Sequence, residues 1–243
     1  MADIRELRKK IDAIDDSILE ILNKRAKLVK EVGKVKAHGK SEFYVPNREK
    51  EIYERLARNN KGPFSNESIR AIFREIISAS LSLEHPLKIA FFGPQATYTH
   101  LAAIKQFGLS ADLIPVKSIS DVFDEVERGE ANYGVVPIEN STEGIVTHTL
   151  DVFADSSLQI VAEVVLEISH CLLSKSGRME DIKKVHSHPQ PIAQCRNWLA
   201  KNLPNVPVIE TASTAAAAQM VANDPEAAAI ASEFAANIYD LKI

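Results

Sequence analysis

Two cysteines, Cys171 and Cys195, are too few in 243 residues for a disulfide framework, and they lack metal-ligand spacing. Nine glycines and 11 prolines exclude a collagenous or low-complexity chain. No apolar run approaches the ~18 residues that a membrane span needs. Met1-Ala2-Asp3 leads into a charged amphipathic segment with no apolar signal core, so a cytoplasmic protein with no membrane partner is expected. A net charge of −4 offers no basic excess for a nucleic-acid backbone. What is present is an ordinary globular balance, 45% hydrophobic and 26% charged. At this length two cores fit.

The charge is unevenly spread. Residues 1–85 carry 18 Lys+Arg against 14 Asp+Glu, and residues 86–243 carry 11 against 19. Nine of the 11 prolines lie from Pro86 onward. Leu87-Lys88-Ile89-Ala90-Phe91-Phe92 is short, apolar and stopped by Gly93-Pro94, which is the pattern of a buried strand. The expected domains are therefore 1–85 and 87–243.

The first domain is expected to be all helix. Ile4, Leu7, Ile11, Ile14, Ile18, Ile21, Leu28, Val32 and Val35 recur at spacings of three and four, a heptad seam. So long a helix implies partner helices from a second subunit, hence a homodimer through the N-terminal helices. A second helix is predicted from Asn47 to Arg58, and a third from an N-cap at Ser65 to about Glu84. The second domain alternates strand-like runs (87–92, 112–116, 132–138, 158–168, 184–187, 206–211, 227–231) with helical ones (98–107, 120–128, 145–153, 191–202, 213–223, 232–240). That alternation predicts an α/β domain with a mainly parallel sheet.

Polar residues interrupt the helical seams. Arg25 stands where the rhythm asks for an apolar side chain, and a guanidinium on a buried stripe needs an anion. Lys36 lies about three turns further on the same face, whereas Arg8 points about 100° away. Arg48-Glu49 opens the second helix, and Ser80 and Glu84 continue the apolar stripe of the third. If the helices pack antiparallel, these intrusions converge on a cationic pocket suited to a small dianion. No nucleophile–base pair and no metal cluster accompanies them, so no metal or other cofactor is expected.

Residues 1–85 resemble the all-helical class of chorismate mutase. The resemblance rests on Leu7-Arg8-Lys9-Lys10-Ile11-Asp12, Arg25, Val32-Gly33-Lys34-Val35-Lys36 and Arg48-Glu49 as a set. It implies an intertwined dimer that rearranges chorismate to prephenate. By the same resemblance, Arg25 and Arg48 hold the substrate carboxylates or the adjacent hydroxyl network, and Arg8 crosses into the partner's site. Lys36 and Glu84 flank the ether oxygen, Glu49 hydrogen-bonds the ring hydroxyl and Ser80 lines the pocket. Glu84 assists only when protonated, so activity favouring acidic pH is expected unless burial raises its pKa. Val45 stands where some relatives have an acidic residue.

Four polar segments of the second domain fall at predicted strand ends, where open α/β sheets bind ligands: 93–100, 137–144, 187–190 and 211–214. Each leads into a helix start that attracts carboxylates. The five histidines of this region, His100, His148, His170, His186 and His188, show no metal-ligand spacing and are read as structural or as supports behind site residues. Gly134-Val135-Val136-Pro137-Ile138-Glu139-Asn140-Ser141-Thr142-Glu143-Gly144, with Ser187-His188-Pro189-Gln190, Gln194 and Ser213-Thr214, resembles prephenate dehydratase. The resemblance implies two α/β lobes, like a periplasmic binding protein, with the active site between them. It implies decarboxylation of prephenate with loss of its ring hydroxyl, giving phenylpyruvate. It makes Asn140, Ser187 and Gln194 the catalytic positions, and Thr97, Ser141, Gln190, Ser213 and Thr214 the substrate-binding ones. A Thr-Arg-Phe motif of that family does not occur, so the domain is expected to be incomplete, lacking its C-terminal part and any regulatory ACT domain. An unpaired sheet edge is expected for the same reason. Two other readings stay open: a chorismate mutase with an inert or merely ligand-binding α/β half, and a coiled-coil dimeriser carrying a small-anion sensor.

Overall fold

A computed structural model describes residues 3–37, 46–84, 86–141 and 144–243; the side chains of residues 36, 37, 46 and 47 lie outside the described set. The chain forms two compact units, Met1–Lys88 with Phe107–Asp112, and Ile89–Gln106 with Leu113–Ile243.

The first unit is built on α1 (Ile4–Ala37), α2 (Pro46–Asn59) and α3 (Asn66–Glu84). Thirty-four residues make α1 about 50 Å long. Ile4, Leu7, Ile11, Ile14, Ile18, Ile21, Leu28, Val32 and Val35, the whole predicted seam, stay exposed along it. Pro46 takes the first turn of α2, where its missing N–H costs nothing. Ser65 caps α3 as expected, its Oγ accepting from the Ser68 N–H at 3.0 Å. Arg25 meets Ile76 and Ser80, and Gly33 meets Glu84. The two helices therefore run in the same direction, not antiparallel, because α2 intervenes and carries the chain back. Residues 107–112 lie against α3: the Leu109 N–H donates to Glu75 Oε2 at 3.1 Å, and the Ser110 N–H to Ser78 Oγ at 3.2 Å. Gly108, at φ 76°, sits where a Cβ would lie 2.5 Å from Ser78 Cβ, so only glycine fits this turn.

The second unit holds two main sheets. One has the order β2-β1-β3, from β1 (Lys88–Phe92), β2 (Asp112–Val116) and β3 (Tyr133–Val135), with β1 and β3 parallel. A short antiparallel pair follows, β4 (Glu139–Asn140) with β5 (Gly144–Ile145). The other main sheet comprises β6 (Cys171–Ser174), β7 (Lys184–Ser187), β8 (Val208–Glu210) and β9 (Ala227–Ala231), in the order β6-β9-β7-β8. β7 runs parallel to β8 and β9, and β6 is antiparallel to β9. The helices are α4 (Tyr98–Phe107), α5 (Ile119–Glu127), α6 (Thr147–Asp155), α7 (Pro189–Asn202), α8 (Thr214–Val221) and α9 (Glu233–Tyr239). Ser118 and Asp121 form a reciprocal capping box on α5. Alanines fill the core of the second sheet: Ala215, Ala217, Ala218, Ala227, Ala229 and Ala231 are buried together with Leu173 and Val221. Side chains this small let α8 lie close on the strands.

One strand expectation fails. Residues 158–168 are neither strand nor helix, and Ile160 and Val165 are 73% and 76% exposed. An apolar run becomes a strand only when another backbone pairs with it, a requirement that period and composition do not report. The strand of this region begins later, at Cys171, where β9 supplies that partner.

Candidate functional site

In the first unit, Arg25 is half-buried on α1 and donates from Nη1 to Ser80 Oγ and, at 3.5 Å, to the Ile76 carbonyl. Ser80 Oγ donates in turn to the same carbonyl at 2.5 Å. Burial holds the Arg25 guanidinium below its usual range, and the negative charge of Glu84 opposes that. A half-buried cation and a hydroxyl thus meet between α1 and α3, within electrostatic reach of a carboxylate. Gly33 makes it possible, since a Cβ there would lie 3.0 Å from Glu84 Cγ. Mid-helix glycine costs roughly 1 kcal/mol against alanine. Gly33→Ala is expected to leave thermal stability within about 1 kcal/mol, the helix gain offsetting the crowding, while displacing Glu84 and lowering turnover severalfold. A melting curve and kcat measured together check this.

Arg8 is exposed on α1, about 25 Å along the axis from Arg25. Arg48 is exposed and paired with Glu51 at 2.8 Å. Glu49 is turned toward α3, where Arg70 lies 5.0 Å over the Tyr53 ring. Burial pushes the Glu49 carboxyl up to about 7, with Arg70 pulling the other way. The Lys36 side chain and Val45 lie outside the described residues, as do Thr142 and Glu143 of the second unit's motif. Arg70 and Tyr53 escaped the sequence reading, as did the packing of Glu84 on Gly33. A glycine inside a strong helical pattern was the one available signal, because it needs a packing reason.

The raised Glu49 value has a consequence for stability. A carboxyl whose folded pKa exceeds its unfolded one favours folding below the unfolded value, near 4.5, and loses that contribution as pH rises to about 7. Glu49→Gln should therefore gain about 1–2 kcal/mol relative to the parent between pH 5 and 8, after allowing for partial solvent screening. Urea melts at the two pH values give the difference directly.

In the second unit, Thr97 caps α4: its Oγ accepts from the His100 N–H at 3.2 Å and donates to the Pro94 carbonyl at 3.0 Å. The turn before it is held by His100, whose Nδ1 accepts from the Ala96 N–H at 3.1 Å. The imidazole stacks on Phe91 at 4.7 Å and meets the edge of Phe234 at 5.2 Å. Ala96 adopts φ 66°, a left-handed conformation that favours glycine. Ser187, at the end of β7, is wholly buried and donates to the Ile230 carbonyl at 2.7 Å. The Thr211 N–H donates to the Ser187 carbonyl at 2.8 Å, which brings the ends of β7 and β8 together. Ser213 caps α8, accepting from the Ala216 N–H at 3.0 Å, and Thr214 opens that helix. Gln190 and Gln194 lie one turn apart on α7, and the side-chain nitrogen of Gln190 is buried without a hydrogen-bond partner. Gln194 contacts His170 at 3.0 Å. Asn140 pairs with Gly144 across the β4–β5 hairpin, and Ser141 is exposed at its turn. Thr97, Ser187 and Ser213 thus stand at strand ends and helix starts, positions at which open α/β sheets bind ligands. Among the described residues no group of three or more His, Cys, Asp or Glu could hold a metal ion, and no helix is long and apolar enough to cross a membrane.

Known proteins decide what these two constellations belong to. The chorismate mutase type II family matches residues 7–85, and the prephenate dehydratase family matches residues 89–243. A bifunctional chorismate mutase/prephenate dehydratase of Aquifex aeolicus is 50% identical over 247 residues, covering 100% of this chain and 68% of that relative. This chain belongs to the bifunctional chorismate mutase/prephenate dehydratase family. A second such enzyme, from Pseudomonas aeruginosa, is 43% identical over 98% of this chain and 67% of its own length. The chain thus spans about two thirds of the length of these curated relatives. Among solved structures, the prephenate dehydratase of Arthrobacter aurescens in complex with L-Phe has a TM-score of 0.57 at 36% identity, covering 63% of this chain and 52% of that one. The family joins an isomerase to a lyase in phenylalanine biosynthesis, and both domains are here: the all-α mutase domain followed by the α/β dehydratase domain. A coiled-coil anion sensor is thereby set aside.

Proposed function

We propose that residues 1–85 rearrange chorismate to prephenate and residues 87–243 convert prephenate to phenylpyruvate through the side chains named from the sequence. The observation that carries the reading is the Arg25–Ser80 hydrogen bond between α1 and α3, within electrostatic reach of the Glu84 carboxylate that packs on Gly33. A Claisen rearrangement needs no covalent or proton-transfer step. The site has to fold the enolpyruvyl arm over the ring and stabilise charge on the breaking C–O bond. Arg25 and Arg48 hold carboxylates, Lys36 and a protonated Glu84 meet the ether oxygen, Glu49 meets the ring hydroxyl and Ser80 fixes the Arg25 fork.

The site is completed by a second copy of the chain. Arg8 is too far along α1 to reach Arg25 of its own chain, and the same helix leaves its apolar seam exposed. A homodimer through α1 buries the seam and delivers Arg8 to the partner's pocket. In the α/β domain, Asn140, Ser187 and Gln194 bind prephenate and assist departure of its hydroxyl as carbon dioxide leaves. Thr97, Ser141, Gln190, Ser213 and Thr214 supply neutral donors to its carboxylates. A cytoplasmic location fits both small anionic substrates.

Prephenate offered as sole substrate tests the second half by itself. Phenylpyruvate formed by the purified full chain is the expected result. Prephenate left unchanged by a chain that still consumes chorismate would leave a mutase alone.

A further inference from the structure

Ala96 stands in the turn between β1 and α4 at φ 66°, a left-handed conformation that an L side chain adopts only at a cost. Its methyl is nevertheless buried, in the same core as Ala215 of α8, Ala231 of β9 and Ala235 of α9. A side chain from the first turn of α4 holds the backbone in that shape. His100 is buried, and its Nδ1 accepts from the Ala96 N–H at 3.1 Å. An N–H only donates, so Nδ1 is bare and the neutral ring carries its proton on Nε2. The ring is clamped on two sides: Phe91 of β1 stacks on it at 4.7 Å, and Phe234 of α9 meets it edge-on at 5.2 Å. The His100 backbone N–H donates to Thr97 Oγ at 3.2 Å, so the same residue also fixes the hydroxyl that ends the turn. Burial holds the imidazole below its ordinary range, and no charged side chain among the described residues adds to that shift or opposes it. The groups that face the ring from β1 and α9 are the two phenylalanines, which carry no charge.

We propose that His100 is a positioning residue for prephenate binding: through its bare Nδ1 it locks the 93–97 turn, and with it Thr97, in the shape that meets the substrate. The inference rests on the reading of Thr97 as a site residue. Once protonated, Nδ1 is a second donor facing the Ala96 N–H, and the left-handed turn loses the bond that offsets its strain. Prephenate affinity is therefore full at neutral pH and falls in acid, below the ordinary histidine value of 6.5.

The test uses the full chain, with prephenate affinity read by calorimetry from neutral to mildly acidic pH. His100→Phe keeps a ring between the two phenylalanines but removes the acceptor, and is expected to weaken binding about tenfold at neutral pH. His100→Asn places Oδ1 where Nδ1 stands and gives up the ring; it is expected to bind within about threefold of the parent and to lose the fall in acid. Ala96→Gly, added to His100→Phe, is expected to recover most of the affinity, because glycine holds a left-handed turn unaided. Chorismate consumption stays unchanged throughout. A bare Nδ1 and a protonated Nε2 are expected in the imidazole nitrogen spectrum of the parent, a measurement that needs no variant to fold. A side chain that only packs would give the reverse order, His100→Phe harmless and His100→Asn damaging. That order, the opposite tautomer, or a fall in acid retained by His100→Asn would overturn the positioning role alone. Unchanged affinity in Thr97→Val, where a methyl replaces the hydroxyl, would remove the reading beneath it as well.

Discussion

Arg25→Ala is expected to lower chorismate mutase kcat/KM by about 10²–10³-fold, the scale of removing one preorganised electrostatic partner. The loss should fall on chorismate alone. Prephenate turnover uses the other domain and should be unchanged, which separates a local defect from general unfolding. Arg25→Lys is expected to recover only a small part. A guanidinium presents a rigid fork of donors, and Arg25 uses it on Ser80 and Ile76 while facing Glu84; an ammonium on a flexible stem reproduces the charge without that geometry. Steady-state kinetics on both substrates, with a melting curve for each variant, decide the matter. Full mutase activity in Arg25→Ala would contradict the assignment.

The second large effect comes from mixing. Arg8→Ala and Arg25→Ala should each be nearly inactive as mutases. In a dimer that exchanges Arg8, a mixed pair contains one site with both arginines intact and one with neither. Unfolding and refolding an equimolar mixture should therefore return about a quarter of the parent's mutase activity, because about half the dimers are mixed and each has one good site of two. Two separately inactive proteins would regain activity only by sharing sites. No recovery, with mixed dimers shown to form, would mean that Arg8 acts within its own chain or not at all.

How much of this was legible beforehand differs between the two units. The helices of the first follow from local rules: the seam spacing gave α1, Pro46 the start of α2 and the Ser65 hydroxyl the start of α3. Arg25 stood out because it broke that seam. Its contact with Ser80 was foreseen as a convergence, though not the parallel course of α1 and α3, since relative direction depends on the path of the intervening helix. Residues that act through a neighbour were invisible. Nothing in the spacing of Gly33 says that Glu84 packs on it, and nothing near Arg70 says that Glu49 faces it. In the second unit the segment 211–214 was readable as leading into a helix, whose cap is Ser213. The run 158–168 misled because alternation describes a side-chain pattern, whereas a strand is defined by the backbone beside it. The spacing of His170 left it either structural or a support behind a site residue, and only its ring nitrogen 3.0 Å from Gln194 shows what it touches.

The central claim, one chain carrying out two consecutive steps, meets its most direct test in a single incubation. Purified full chain given chorismate alone should show prephenate rising first and phenylpyruvate following at its expense, both abolished or delayed in proportion by Arg25→Ala. Prephenate accumulating to the full amount of chorismate consumed, with no phenylpyruvate, would contradict the account.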